Sequence, residues 1–185
     1  MKNNRCFIVM MSLLLLLAAC GEKKEVKETK KQPSTKGVVG DSTIYGKCVD
    51  AAMHSLVLLT EKGDTLFFSL EDFSQERRAD IQGGLLIDDK LAVIAELHDD
   101  LHFPAKIINL TTLQGEWKGT GRDFDIEEGG TVSSHVEYET NPYTTWKIYN
   151  GRLILESDTF DVIQLTGDSL CLENDKGIYE YRRAK

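Results

Sequence analysis

The sequence predicts a mainly β protein made of two small antiparallel β-barrels in series. Apolar and polar residues alternate over short stretches, most clearly at Leu153/Leu155, Ile163/Leu165 and Leu170/Leu172, the period of a strand with one face buried. Turn signals recur between these stretches, the strongest being Asn150-Gly151, where both residues tolerate positive φ. Long helical periodicity is missing, and Asp72–Asp80 alone carries the start and stop signals of a helix.

In the first half, Thr43–Val49 reads as a strand, and Ser55–Thr60 and Thr65–Ser69 as a hairpin across Glu61-Lys62-Gly63-Asp64. The expected helix over Asp72–Asp80 has Asp72 or Ser74 as its cap and stops at Gly83-Gly84. Leu91–Leu97 is a buried strand, and Ala105–Leu110 another after a turn containing Asp99-Asp100 and Pro104. Five strands and one short helix predict a closed barrel of the OB or SH3-like kind over residues 42–112.

The second half, residues 113–185, reads as a meander of eight strands. They are Leu113–Thr120, Arg122–Ile126, Thr131–Glu137, Thr144–Tyr149, Arg152–Glu156, Phe160–Leu165, Leu170–Glu173 and Ile178–Arg182. Nine of the chain's 15 aromatic residues lie in this half, which predicts a core rich in rings.

The first residues have three zones: Lys2 and Arg5, an apolar run from Phe7 to Leu17, and Leu17-Ala18-Ala19-Cys20. The run is shorter than the roughly 20 apolar residues of a membrane span, so residues 1–19 read as a signal peptide. The last zone resembles a bacterial lipobox. That resemblance implies cleavage before Cys20, a diacylglyceryl thioether on its sulfur and an acyl amide on the new terminus, enough for stable anchoring. Residues 20–41 follow as a flexible tether rich in Lys and Glu. Gly21, where an Asp would retain the lipoprotein in the inner membrane of some bacteria, favours the outer membrane. The body is acidic: residues 41–185 hold 14 basic and 27 acidic side chains, which excludes nucleic acid as a natural partner. Cys6 leaves with the signal peptide. Cys48 and Cys171 remain, as a candidate disulfide in an oxidising compartment or as two buried thiols.

A Gly-x-Trp on the first strand of the second half (Gly115-Glu116-Trp117) is followed by Trp146, Gly151, Leu153-Ile154-Leu155 and a terminal Tyr179-Glu180-Tyr181-Arg182-Arg183. Over residues 113–185 this resembles the short lipocalin-like lipoproteins of Bacteroidota. The resemblance implies that Trp117 packs at the closed end of the barrel beneath Arg183 or Arg182. Arg183 is favoured because it shares strand parity with Tyr179 and Tyr181. The contact would be a cation–π pair of about 0.5–2 kcal/mol. It further implies a small apolar ligand, and strand parity offers Phe124, Tyr138, Trp146, Leu155 and Tyr179 as the lining of its pocket.

Other patterns read as structure. Gly167-Asp168-Ser169-Leu170 spells an esterase motif, but on a hairpin and with its last histidine, His135, upstream. His98 and His102 have zinc spacing for a helix but fall on a loop between strands. Asp123, Asp125, Glu127 and Glu128 read as a solvated strand face. Three Asp-Ser/Thr triplets (41–43, 64–66, 168–170) look like O-glycosylation sites of the same bacteria. The expectation is therefore a non-enzymatic envelope lipoprotein with no cofactor and no metal. It is anchored through Cys20 and binds a small apolar ligand or an envelope protein; the alternative is an accessory subunit without a pocket.

Overall fold

The computed structural model describes residues 40–98 and 101–184. The expected signal peptide, Cys20 and nearly all of the expected tether lie outside the described residues. The first sheet contains β1 (Ile44–Ala52), β2 (Ser55–Thr60) and β3 (Thr65–Ser69), then the short β4 (Glu71–Asp72), β5 (Arg77–Arg78) and β6 (Asp80–Gln82), then β7 (Lys90–His98) and β8 (Leu101–Asn109). β1 pairs antiparallel with both β2 and β7, β2 pairs with β3, and β7 pairs with β8. A parallel bridge, Phe68 to His102, joins β3 to β8 and closes five strands into a barrel with OB strand order. Cys48, Leu56, Leu58, Phe68, Leu91, Val93 and Ile107 fill it.

Two expectations for this half fail. Asp72–Asp80 is not a helix. The Asp72 carboxylate does accept from the backbone of Ser74 and Gln75, as a cap would. Glu76 then turns to φ 51, and the chain reverses to pair Glu71 with Arg78. The physical reason is burial. The segment offers Phe73 as its one large apolar side chain, and Phe73 is exposed; a helix this short needs a packed face to persist. Pro104 is not in a turn either. It lies within β8 opposite Ala95, where the register shifts, a bulge that removes the need for its missing N–H.

The second sheet is led in by a one-turn helix, α1 (Leu110–Leu113), whose cap Asn109 accepts from the Thr112 N–H at 2.9 Å. It then runs through β9 (Gly115–Gly119), β10 (Arg122–Ile126), β11 (Val132–Ser134), β12 (Trp146–Tyr149), β13 (Arg152–Leu155), β14 (Asp158–Leu165), β15 (Ser169–Asn174) and β16 (Gly177–Arg183). All pairings are antiparallel. β16 returns to β9, giving the order β11-β10-β9-β16-β15-β14-β13-β12. The two outermost strands are joined by the Thr131–Thr145 bridge and by Val132 N–H to Thr144 O and Trp146 N–H to Gly130 O, at 2.9 and 2.8 Å. This nearly closes an eight-stranded barrel. Asn150 and Gly151 turn the β12–β13 hairpin with φ of 48° and 74°, the mirror-image geometry that matches strand twist. The strand expected over Thr131–Glu137 ends at Ser134, and residues 135–145 cross the barrel end without regular structure beyond the bridge at Thr145.

The barrels share material. Ala92 and Ile108, on the outer face of the first barrel, belong to the core of the second. The Tyr45 hydroxyl donates to Ile148 O at 2.6 Å. The Asn150 side chain accepts from the Ser42 N–H and hydroxyl, both at 2.8 Å. Its N–H points at Asp41 and Thr43, at 3.1 and 3.0 Å. Lys106 donates to Val162 O at 3.0 Å. Residues from Gly40 onward thus form one compact body.

Candidate functional site

One end of the second barrel is latched. Trp117 is fully buried, and its indole N–H donates to Leu113 O at 2.8 Å. The Arg183 guanidinium lies 3.9 Å above the Trp117 ring. The same guanidinium donates to three carbonyls: Gly167 at 3.0 Å, and Gln114 and Thr112 at 2.5 Å each. Burial lowers the Arg183 pKa, and Asp168 and Asp125 partly oppose that. Gly115 makes the approach available. Its φ is 118°, and a Cβ there would stand 2.4 Å from Arg183 Nη1. Arg182 points outward and is exposed, opposite Ser169 and Lys118. The arrangement ties the last strand to α1 and β9; its atoms are all engaged in structure.

Rings pack across the interior between the latch and the far end. Phe124, Leu155 and Phe160 are buried, with Tyr179 packed against them. Phe124 meets Tyr181 at 5.0 Å and Tyr143 at 5.8 Å; Phe160 meets Tyr179 at 5.6 Å and Tyr143 at 6.4 Å, all edge to face, the favoured geometry for ring pairs. Of the five expected lining residues, Phe124 and Leu155 are core, and Tyr179 is partly buried against that core. Trp146 sits at the barrel seam with its indole N–H on Glu127 O at 2.7 Å. Tyr138 is outside, 92% exposed. Strand parity misplaced it because the strand stops at Ser134. The residues that sequence parity missed are Tyr143 and Arg122. The Arg122 guanidinium stands 4.0 Å over the Tyr143 ring. Burial pushes the Tyr143 hydroxyl pKa up, and it raises that of Tyr181 well above the usual tyrosine range. Pro142, just before Tyr143, was the one local sign that the chain leaves strand geometry there.

The other candidates resolve into local roles. Cys48 and Cys171 are free thiols, one in each barrel, so the disulfide reading is corrected. Burial raises both thiol pKa values, and nearby carboxylates (Asp89 and Asp50; Glu180 and Glu173) add to it. Ser169 of the esterase-like motif shares a hydroxyl contact of 2.9 Å with Thr166 in a hairpin turn. The acidic strand is dispersed: Asp123 faces Lys118, Glu127 meets Ser133, and Glu128 pairs with Lys90. Among the described residues, no group of three or more His, Cys, Asp or Glu side chains could hold a metal ion. The His98 side chain lies outside them.

On the outer side of the first barrel, the β1–β3 sheet carries Val57 directly opposite Phe67, with Leu59 two residues along β2, Asp50 and Lys47 opposite Val57 and Leu59 on β1, and Val49 in the β1 bulge. Phe67 is 65% exposed, and Val49 and Leu59 are also exposed. At the lip where this sheet meets α1 lies a cavity of about 380 Å³ lined by Tyr45, Leu59, Leu91 and Leu110, with Lys47 and Lys90 among its charged residues.

These features define a two-barrel β protein with a latched, ring-filled second barrel. A family model described as lipocalin-like matches residues 108–184, which are α1, its lead-in and the whole second barrel. The chain therefore carries a lipocalin-like domain over those residues, and the first barrel lies outside the match. No curated protein and no solved structure matches the chain.

Proposed function

We propose that this chain is a non-enzymatic lipoprotein of the cell envelope. In this reading it is anchored through Cys20 on the outer membrane and docks a protein partner with its first barrel. The observation that carries this is the set of exposed apolar side chains on β1–β3, Phe67 above all, beside a second barrel whose core is packed with its own rings. Contiguous exposed apolar side chains on a soluble body are a common mark of an interaction site. The acidic body disfavours nucleic acid. The Ser169 hydroxyl of the esterase-like motif sits in a hairpin turn against Thr166, which gives no support to an acyl-transfer site there. A small apolar ligand in the second barrel is the second reading, favoured by the lipocalin-like match.

The test is a photo-crosslinking amino acid at Phe67 in intact cells, with Lys176 as a remote exposed control. A discrete adduct from position 67 and none from 176 is expected. The same adducts from both positions would sink the docking reading. The anchor is tested separately: Cys20→Ala should release the protein or leave an uncut precursor, and unchanged membrane retention with normal processing would refute lipidation.

A further inference from the structure

The far end of the second barrel is closed by the chain itself. From His135 to Thr145 only Tyr143 is buried, and the segment forms no strand or helix of its own. Its ends are pinned to the barrel by His135 N–H to Asp123 O at 2.7 Å, Val132 N–H to Thr144 O at 2.9 Å and Glu156 N–H to Thr145 O at 2.9 Å, and between them residues 136–143 are tied mainly through one side chain. Arg122, at the start of β10, bonds Glu139 at 2.6 Å and Asn141 O at 3.2 Å while covering the Tyr143 ring. Ser134 adds a bond to the other Glu139 oxygen. Tyr138 sits at φ 64, a strained conformation for a residue with a ring on its Cβ. It is fully outside the core, so no burial of its own side chain compensates the strain. Between its anchored ends the stretch thus combines one inserted ring, one electrostatic tie and local strain.

We propose that residues 136–143 are a displaceable stopper, and that the Tyr143 ring stands where a planar aromatic ligand of one or two rings binds. The inference is independent of docking at the first barrel. The chemistry of the recess gives the ligand class. Tyr143 meets Phe124 and Phe160 edge to face and carries a guanidinium on its own face. A flat π-system reproduces all three contacts, whereas a saturated ring of the same size loses the guanidinium contact and the quadrupole match. Displacement breaks the Glu139 tie and relieves the Tyr138 strain. A ligand's observed affinity is then its intrinsic affinity scaled by the open fraction.

The experiment titrates p-cresol and 4-methylcyclohexanol into the unacylated body from Gly40 onward, which contains both barrels and their shared core. Calorimetry is the readout, on wild type, Glu139→Ala and Tyr143→Ala. Glu139→Ala removes the tie and leaves every barrel ring in place, so it should bind p-cresol about tenfold tighter than wild type as the open fraction rises. Tyr143→Ala should bind it tighter still. In both variants 4-methylcyclohexanol should bind about tenfold more weakly than p-cresol. If Glu139→Ala binds no better than wild type, the stopper is a fixed part of the core and the proposal fails, even if Tyr143→Ala binds in the cavity it creates. Equal affinity for the saturated ring overturns the ligand class. Should Tyr143→Ala not fold, Glu139→Ala decides alone. Loss of crosslinking at Phe67 would leave this outcome untouched.

Discussion

Arg183→Met tests whether the latch holds the second barrel closed. The substitution keeps an unbranched side chain of similar length over the Trp117 face, so no cavity forms. What goes is the charge 3.9 Å above the ring and three charge-assisted bonds to Gly167, Gln114 and Thr112 carbonyls. The cation–π contact contributes about 0.5–2 kcal/mol, and each bond to a charged donor about 1.5–3 kcal/mol. These do not add. Arg183 is half-buried, and water can reach part of the vacated fork, so the expected loss is about 3–4 kcal/mol, in the range reserved for a broken buried network. Arg183→Lys keeps the charge but cannot span three carbonyls with one point donor, and should lose about half as much. Arg182→Met, on the exposed side of the same strand, should stay within about 0.5 kcal/mol of wild type. Urea unfolding of the body from Gly40 onward measures all three, with an unchanged slope required for the comparison. A loss below about 1 kcal/mol for Arg183→Met, or Arg183→Lys matching wild type, would refute the latch as the closing element.

Gly115→Ala should destabilise by at least about 1–3 kcal/mol in the same assay, since its φ of 118° and the 2.4 Å approach of Arg183 leave a Cβ no room. The Cys48 and Cys171 thiols, pushed up in pKa by burial, should react slowly with Ellman's reagent in the folded body and both titrate in guanidinium. Adding reductant should leave the melting temperature unchanged, and a drop would restore the disulfide. Burial pushes the Asp41 carboxyl up, but the bonds from Thr43 and Asn150 outweigh it and hold its pKa below the ordinary 3.8. A depressed folded-state pKa gives stability that is present above the unfolded value and lost as pH falls through the folded one. Acid melting of wild type below about pH 3.8 should therefore be steeper than that of Asp41→Asn, and parallel curves would remove Asp41 from the junction.

The strand pattern was legible because one-sided burial writes a period of two into the sequence. Ser55–Thr60, Thr65–Ser69 and Arg122–Ile126 were placed to the residue. The Asp72–Asp80 error shows the limit of local signals: the caps are present and do form, but a cap cannot supply the apolar face that a short helix needs. Pro104 shows the same limit from the other side, since the bulge that accommodates it depends on β7 and not on its own neighbours. The Trp117–Arg183 pairing was reachable through family resemblance and strand parity together. Tyr143 was not. Its partners Phe124, Phe160 and Arg122 are brought to it by barrel closure, and the segment that carries it has no period to read.

The way the barrels join bears on where binding can occur. β12 is an outermost strand of the second sheet, tied to β11 by little more than one bridge. An exposed strand edge invites pairing with other chains. Here the start of β1 runs against it: Tyr45 takes up Ile148 O, and Asp41 and Thr43 take up the Asn150 N–H. Ala92 and Ile108 then extend the shared core across the β7–β8 face. The first barrel therefore completes the second, and its β7–β8 side is covered at Ala92 and Ile108. An eight-stranded ring is just wide enough to be filled by side chains, and this one, with a three-residue β11 and a four-residue β12, uses that width for aromatic packing. Two regions escape both constraints: the outer β1–β3 face, and the Tyr143 segment, whose hold on the barrel runs through a few polar bonds. The Phe67 and Glu139 experiments address each without disturbing the other.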